Sequence, residues 1–174
     1  MAIKKILTEP NKILRSKSLR VEKVDEELQK LMDDMLETMY AAPGIGLAAI
    51  QVGVPKRVIV LDIAPKDGPR NPMYFINPEI IIKSETNSTY EEGCLSVPGQ
   101  FAEIDRPDKC QIKFLDYYGQ PKEIQAEGML ATCIQHEMDH LEGILFIDYL
   151  SKLKKTMIVK KLSKQKKELE RIVV

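Results

Sequence analysis

The spacing of apolar residues along the chain predicts two helices that are separated by a group of strands. In VDEELQKLMDDMLETMYA, residues 24–41, apolar side chains recur at intervals of three and four, and acidic residues stand at the start, where the helix dipole favours them. The predicted apolar face consists of Leu28, Leu31, Met32, Met35, Leu36 and Met39. A second, largely apolar helix is predicted for GMLATCIQHEMDHLEG, residues 128–143, with Gly143 as its end. The chain from Ser151 onward is predicted to be helical as well.

Runs of β-branched and aromatic residues indicate strands between the two helices. RVIVLDI (57–63) and YFINPEIIIKS (74–84) have this character, and KCQIKFLD (109–116) and KEIQAEG (122–128) are joined by the turn YYGQ as a hairpin. APGIGLAAIQVG (42–53) is predicted to be a small-residue loop or short strand. This order predicts an α+β fold: mostly antiparallel sheets packed around a central helix, with a C-terminal helix.

Composition narrows the class of protein. A chain of 174 residues with 44% hydrophobic composition is long enough for one domain with a core. The three cysteines are odd in number and widely spaced, which favours reduced thiols over a disulfide framework. No apolar run approaches the roughly 18 residues that a membrane span needs. We therefore expect a soluble, cytoplasmic protein with neither a membrane nor DNA as partner.

The sequence HEMDH contains His136 and His140, the only two histidines of the chain. On a helix, residues i and i+4 lie on one face, so both rings can bind one metal ion. Glu137 points about 100° around the axis, where it can act as a general base on a water molecule. Two hydrogen-bonded core histidines are the alternative. The polar group that they form with Glu137 and Asp139 on an apolar helix favours the metal site.

A catalytic metal site needs a third protein ligand. In one large group of proteases this ligand is a histidine six residues after the second, but that position holds Phe146 here. The candidates that remain are three carboxylates and three thiolates: Asp148, Glu168, Glu170, Cys94, Cys110 and Cys133. The two glutamates lie in a lysine-rich tail, which disfavours them. Cys94 stands beside a glycine in YEEGCLSVPG, where it is either a ligand or a packing residue.

Three segments together resemble one family. GIGLAAIQ (44–51), EGCLS (92–96) and HEMDH (136–140) are similar, in this order, to the three motifs of the bacterial type of peptide deformylase. The resemblance covers nearly the whole chain. This family removes the N-formyl group from the initiator methionine of nascent bacterial proteins and releases formate. The resemblance therefore implies a metal-dependent hydrolase, with residues 1–150 as the catalytic domain and 151–174 as a basic C-terminal helix of the same domain.

The resemblance also assigns roles to residues. The implied metal ligands are Cys94, His136 and His140. Glu137 would take a proton as water attacks the formyl carbon and would later deliver it to the leaving amine. The side-chain amide of Gln51 and the backbone N–H of Leu95 would stabilise the oxyanion.

An apolar pocket for the methionine side chain is implied as well. Its candidate residues are Met129, Thr132 and Cys133, which share a helix face with His136, whereas Ile45 and Gly46 are candidates for binding the peptide backbone. The glycines around Ile45 would let the backbone approach an extended peptide that pairs with it like an added strand. Phe101 stands where some relatives have arginine, so the entrance is expected to differ. Arg106 and Asp139 either orient a ligand or Glu92, or form structural ion pairs.

The metal is expected to be Fe(II), one per chain, because the family implies it. Two histidines and a thiolate also suit Zn, Ni or Co as substitutes. Two other functions stay open at this point. One is an H-E-x-x-H metallopeptidase with a different third ligand, and the other is a non-catalytic, ribosome-associated metal protein.

Charge is concentrated at the C-terminus. Residues 151–174 contain nine Lys or Arg against two Glu, a net charge of +7, whereas the whole chain is neutral. The apolar residues of this segment are predicted to share one face: Leu153, Met157, Leu162, Leu169 and Ile172. The lysines form either a solvated surface or a site that binds ribosomal RNA electrostatically. Formyl-methionyl nascent peptides and the ribosome are thus the expected partners.

Overall fold

The computed structural model describes residues 1–172 and confirms the predicted α+β class. The helices are α1 (Glu26–Ala41), α2 (Gly128–Leu141) and α3 (Lys152–Ile172). The strands are β1 (Gly46–Ala48), β2 (Val58–Leu61), β3 (Met73–Lys83), β4 (Asn87–Cys94), β5 (Val97–Pro107), β6 (Lys109–Leu115) and β7 (Pro121–Glu127). Residues 173 and 174, the end of the predicted C-terminal helix, lie outside the described residues.

The strands form two antiparallel sheets. Five strands lie in the order β1-β2-β3-β6-β7, and β4 and β5 form a separate two-stranded sheet. The predicted hairpin is confirmed as β6 and β7, in which Ile112 faces Ile124. The β4–β5 hairpin was not predicted, because its inward positions are polar. Ser88, Tyr90 and Glu92 are less exposed than their neighbours in β4, so the alternation carries no hydrophobic signal.

The five-stranded sheet lies between α1 and α2. Along β2, Ile59 and Leu61 belong to the apolar cluster that includes α2, whereas Val58 and Val60 belong to the cluster that includes α1. Because successive strand residues point to opposite faces, this strand is buried on both sides. The helix that carries the two histidines therefore packs against a sheet whose strand β2 is buried on both faces.

Helix α1 begins where the sequence indicated. The side chain of Asp25 accepts a hydrogen bond from the Leu28 N–H at 2.9 Å, which caps the helix. Met32, Met35 and Met39 are fully buried. Each such side chain contributes about 1.5–3 kcal/mol of hydrophobic stabilisation.

The predicted apolar face of α3 is wrong. Leu162 is buried, with Ile158 and Val159 partly buried beside it, but Leu153 and Met157 are 71% and 62% exposed. At about 100° per residue, the last two project from the opposite side of the helix. Leu169 and Ile172 are also exposed.

The inner side of α3 closes a third apolar cluster. This cluster joins the β4–β5 hairpin to the segment before α3, and its buried members are Val97, Ile104, Leu145, Phe146, Ile147 and Leu162. Helix α3 is thus packed onto the rest of the fold through its first half. None of the helices within residues 1–172 is long and apolar enough to cross a membrane.

Candidate active site

The candidate metal ligands come from two elements that the fold brings together. His136 and His140 lie on α2, and Cys94 is the last residue of β4. The Sγ atom of Cys94 and the Nε2 atom of His140 are 3.4 Å apart, and the ligand atoms of all three residues lie within 4.8 Å of one another. Donors that share a tetrahedral ion at usual bond lengths lie about 3.5 Å apart. The three side chains therefore fit one transition-metal ion.

A hydrogen-bonded chain behind His136 fixes the orientation of its ring. The Nδ1 atom lies 2.8 Å from Oε1 of Glu92. Because a carboxylate only accepts, Nδ1 carries a proton, so Nε2 is the ring nitrogen left to bind a metal. Arg106 donates to both oxygens of Glu92, at 2.7 and 3.0 Å, and to Asp139 at 2.9 Å. Such outer partners hold a ligand in place and raise its basicity.

Burial and neighbouring charges shift the pKa values of this group. Burial raises the pKa of Glu92, but hydrogen bonds from His136 and Arg106 outweigh it and hold the pKa below its usual value. Burial lowers the pKa of His140 well below its usual value, and the charges of His136 and Arg106 lower it further. His140 is therefore a neutral imidazole, the form that binds metals.

Glu137 is a buried carboxyl group beside the candidate ligands. It is 6% exposed, and its Oε2 atom makes no hydrogen bond with any of the described residues. The same oxygen lies 4.0 Å from Nε2 of His140. Burial raises the pKa of Glu137 to about 7, against the opposing effect of His136. A carboxyl group with a pKa near neutrality is suited to proton transfer.

The two expected oxyanion donors adjoin the same centre. Gln51 lies in a short 3-10 segment, Ala49–Val52, directly after β1. Its Nε2 atom lies 3.5 Å from Sγ of Cys94 and donates to Oγ of Ser96 at 3.0 Å. Leu95 is in the turn between β4 and β5, next to Cys94. The sequence motifs indicated no role for Ser96. Its position at the end of the EGCLS segment was the one feature of the sequence that could have drawn attention to it.

One cavity of about 500 Å³ opens beside Cys94, His136 and Glu137. The five expected substrate-binding residues all line it: Ile45, Gly46, Met129, Thr132 and Cys133. Thr132 and Cys133 are buried, whereas Ile45 and Met129 are 46% and 50% exposed, so the cavity has a buried inner part and an open outer part.

Phe101 stands at the outer part of this cavity and is 65% exposed. It faces Gly93 across the β4–β5 hairpin, and a Cβ atom on Gly93 would lie 2.5 Å from its ring. The entrance therefore carries an aromatic ring that lies against the backbone next to Cys94.

Five alternative ligands lie outside the metal cluster: Asp148, Cys110, Cys133, Glu168 and Glu170. Asp148 pairs with Arg15 and Lys155, at 2.6 and 2.7 Å. Cys110 is buried in the core between the sheet and α2. Phe146, at the position of the protease histidine, is buried with its ring 6.2 Å from that of His136.

The fold and the site define a metal-dependent hydrolase in which a helical H-E-x-x-H sequence meets a cysteine. The family model of polypeptide deformylase matches residues 3–156. The peptide deformylase of Pelagibacter ubique is 64% identical over 174 residues, 100% of each chain. The crystal structures of the peptide deformylases from Ehrlichia chaffeensis, in complex with actinonin, and Legionella pneumophila are 45% and 46% identical, with TM-scores of 0.91 and 0.89. They cover 95% and 98% of this chain, and 98% and 99% of their own.

The chain therefore belongs to the peptide deformylase family, whose members are hydrolases that act on formylated nascent peptides.

Proposed function

We propose that this chain removes the N-formyl group from the N-terminal methionine of nascent proteins and that the side chains around Cys94 carry out the reaction. One observation supports this assignment of residues above all. Cys94, His136 and the carboxyl group of Glu137 line a single cavity, and the ligand atoms of Cys94, His136 and His140 lie within 4.8 Å of one another. This arrangement can hold a metal, a proton-transfer group and a peptide at once.

In this proposal, Cys94, His136 and His140 hold one divalent metal ion. When bound, the ion would act as a Lewis acid that polarises the formyl carbonyl and favours the ionisation of water. We infer Fe(II), one ion per chain, with Zn, Ni or Co as possible substitutes, because two imidazoles and a thiolate suit each of these metals and the family resemblance favours iron. The thiol of Cys94 is partly exposed, so we expect the centre to require protection from oxidation.

Glu137 moves the proton during the reaction. It takes a proton from the water molecule that attacks the formyl carbon, which produces a tetrahedral adduct with a negative oxygen. As the adduct collapses, the bond between carbon and nitrogen breaks, and Glu137 gives its proton to the leaving amine. The products are formate and a peptide with a free amino group.

The negative oxygen of the adduct needs hydrogen-bond donors that are in place before the reaction. We assign this role to the side-chain amide of Gln51 and the backbone N–H of Leu95. Both groups adjoin Cys94, and Gln51 is almost completely buried, at 1% exposure. Removing one such donor from an enzyme typically lowers the rate by about 100- to 1000-fold.

The methionine side chain of the substrate occupies the cavity in this proposal. Thr132 and Cys133 form part of its buried inner wall, and Met129 forms part of its outer wall. Strand β1 is the outermost strand of the five-stranded sheet, so its free edge near Ile45 and Gly46 can pair with an extended peptide. The backbone of the peptide would then run along the sheet.

We also propose that the basic surface of α3 contacts the ribosome. Lys160, Lys164 and Lys167 are exposed, and the net charge of +7 in residues 151–174 favours binding to the phosphates of ribosomal RNA. Because the proposed substrates are chains that emerge from ribosomes, we also propose that the protein works in the cytoplasm.

The proposed reaction can be tested with a short formylated peptide. Protein that is loaded with Fe(II) under anaerobic conditions is incubated with formyl-Met-Ala-Ser, and formate is measured. We expect the wild type to release formate and Glu137→Gln to lower kcat by about 100-fold or more, because proton transfer is lost. Glu137→Gln should keep its metal, whereas Cys94→Ser should lose affinity for it.

Other outcomes would support other functions. Failure of the metal-loaded wild type to release formate would contradict the proposal. Cleavage of an internal peptide bond, unaffected by Cys94→Ser, would identify a metallopeptidase with another third ligand. Metal binding without any turnover would identify a non-catalytic metal protein.

A further inference from the structure

The side-chain amide of Gln51 is hydrogen-bonded at both of its ends. Its Oε1 atom accepts the backbone N–H of Ala48 at 2.9 Å, and its Nε2 atom donates to Oγ of Ser96 at 3.0 Å. Gln51 is 1% exposed, and Ser96 is 0% exposed. Because both groups are buried, water cannot easily replace either hydrogen bond.

These two hydrogen bonds set the orientation of the amide in different ways. The N–H of Ala48 is a donor, so it requires the oxygen of the Gln51 amide and excludes the flipped orientation. The amide nitrogen carries two hydrogens. Ser96 accepts one of them, and Nε2 donates toward the sulfur of Cys94 at 3.5 Å with the other.

The backbone around Ser96 is held by the same part of the chain that holds Gln51. The Ser96 carbonyl accepts the N–H of Glu9 at 2.8 Å, and the Gln51 carbonyl accepts the N–H of Leu7 at 2.7 Å. The N-terminal segment from Leu7 to Glu9 thus bridges the two residues. These two backbone hydrogen bonds therefore help to hold the Ser96 hydroxyl close to the Gln51 amide, in addition to the hydrogen bond between the two side chains.

We propose that Ser96 is a positioning residue for the reaction, which directs the second N–H of the Gln51 amide to the side of Cys94, where the oxygen of the formyl group would lie. Ser96 itself does not touch the substrate. This inference rests on the proposed function and adds a residue to it. It means that the hydroxyl of Ser96 contributes to the rate only through Gln51.

A purely structural hydrogen bond would behave differently from a positioning one. A structural role would lower stability and would affect activity equally whether or not Gln51 is present. A positioning role affects a hydrogen bond that forms only as the oxyanion develops, so it changes kcat with little change in KM. It also disappears when the Gln51 amide is removed.

The experiment is a double-mutant cycle with Ser96→Ala and Gln51→Ala in the metal-loaded enzyme, with formyl-Met-Ala-Ser as substrate. In the wild-type background, we expect Ser96→Ala to lower kcat about tenfold and to change KM less than about twofold. In the Gln51→Ala background, the same substitution should change kcat less than about twofold. Ser96→Thr, which keeps the hydroxyl, should retain most of the activity.

Metal content and thermal unfolding are measured for every variant. If Ser96→Ala does not fold, Ser96→Gly, which removes the hydroxyl together with Cβ, carries the same expectations for kcat. Equal losses of kcat in both backgrounds, or full activity of Ser96→Ala beside an impaired Gln51→Ala, would overturn the inference. These results are separate from the test of the proposed function, which fails only if the wild type releases no formate.

Discussion

At the scale of single residues, the space around a glycine matters as much as the chemistry of its neighbours. A Cβ atom on Gly46 would lie 2.5 Å from Oε1 of Glu137 and 2.8 Å from Cδ2 of Leu61. A Cβ atom on Gly44 would lie 2.7 Å from Cδ1 of Leu95. From the sequence, these glycines are predicted to let the backbone of a substrate peptide approach, and this remains a prediction. The structure adds that they make room for Glu137 and Leu95.

Gly46→Ala is therefore expected to displace the carboxyl group of Glu137. We expect kcat for formyl-Met-Ala-Ser to fall about 10- to 100-fold, because a shift of about 1 Å in a reacting group has effects of this size. Metal content should not change. Gly68→Ala is a matched control in the loop between β2 and β3, where the nearest atom is 3.3 Å away, and it should keep the wild-type kcat. Equal kcat values for both variants would contradict the steric explanation.

At the scale of elements, α1 holds the N-terminal segment through a buried carboxylate. Asp34 accepts the backbone N–H of Ala2 at 2.7 Å and lies 3.4 Å from the ammonium group of Lys30. One turn further on, the Thr38 hydroxyl oxygen accepts the N–H of Lys4 at 2.8 Å. The hydrogen bond from Ala2 lowers the pKa of Asp34 below its usual 3.8 despite burial, and Lys30 lowers it further.

The lowered pKa gives Asp34 a defined contribution to stability. Because the folded state binds the Asp34 proton less tightly than the unfolded chain, the contribution is complete above about pH 4 and is lost as pH falls through the folded pKa. At pH 7 we expect Asp34→Asn to reduce the free energy of unfolding by about 1–2 kcal/mol. The difference from wild type should shrink in unfolding experiments below pH 4. Glu37→Gln, which removes a carboxylate of α1 that has no hydrogen bond or ion pair among the described residues, is the matched control and should change the free energy of unfolding at pH 7 by less than about 0.5 kcal/mol.

Elements also differ in how clearly the sequence marks them. Helix α1 was predictable because its cap, its acidic first turn and its buried methionines agree. The β4–β5 hairpin was not, because Glu92 and Arg106 occupy inward positions that are normally apolar. Their burial is explained by a bidentate ion pair and by the contact of Glu92 with His136, which are contacts between distant parts of the chain.

At the scale of the whole molecule, α3 combines a packing side with a charged side. Leu162 completes the third apolar cluster, so deletion of the helix would expose a core and would not test its charge alone. The exposed lysines can be changed while Leu162 stays in place. This separation allows the proposed contact with the ribosome to be examined in a folded protein.

The triple substitution Lys160→Glu, Lys164→Glu and Lys167→Glu is expected to abolish salt-sensitive cosedimentation with ribosomes. The reason is that each lysine that pairs with a phosphate adds to the salt dependence of binding. Activity on formyl-Met-Ala-Ser and the temperature of unfolding should change little. The control is a second triple variant, Lys5→Glu, Lys66→Glu and Lys122→Glu, which replaces three exposed lysines elsewhere and changes the net charge by the same amount. Equal loss of binding in both triples would exclude a specific role for α3.

The sequence by itself determined the class of fold, the boundaries of the main helices, and the pair of histidines on one helix face. These features depend on local periodicity, caps and turns, which are properties of neighbouring residues. The motifs also indicated the family, and with it Cys94, Glu137, Gln51 and Leu95.

Only the tertiary structure decided which groups meet around the site. It showed that Cys94 reaches His136 and His140 from a separate sheet, and that Ser96 contacts the amide of Gln51. It also showed that α3 packs through Leu162 and leaves Leu153 exposed. The physical reason is that these distances and burials depend on how β4, α2 and the N-terminal segment pack together, and the local pattern of one segment does not contain that information.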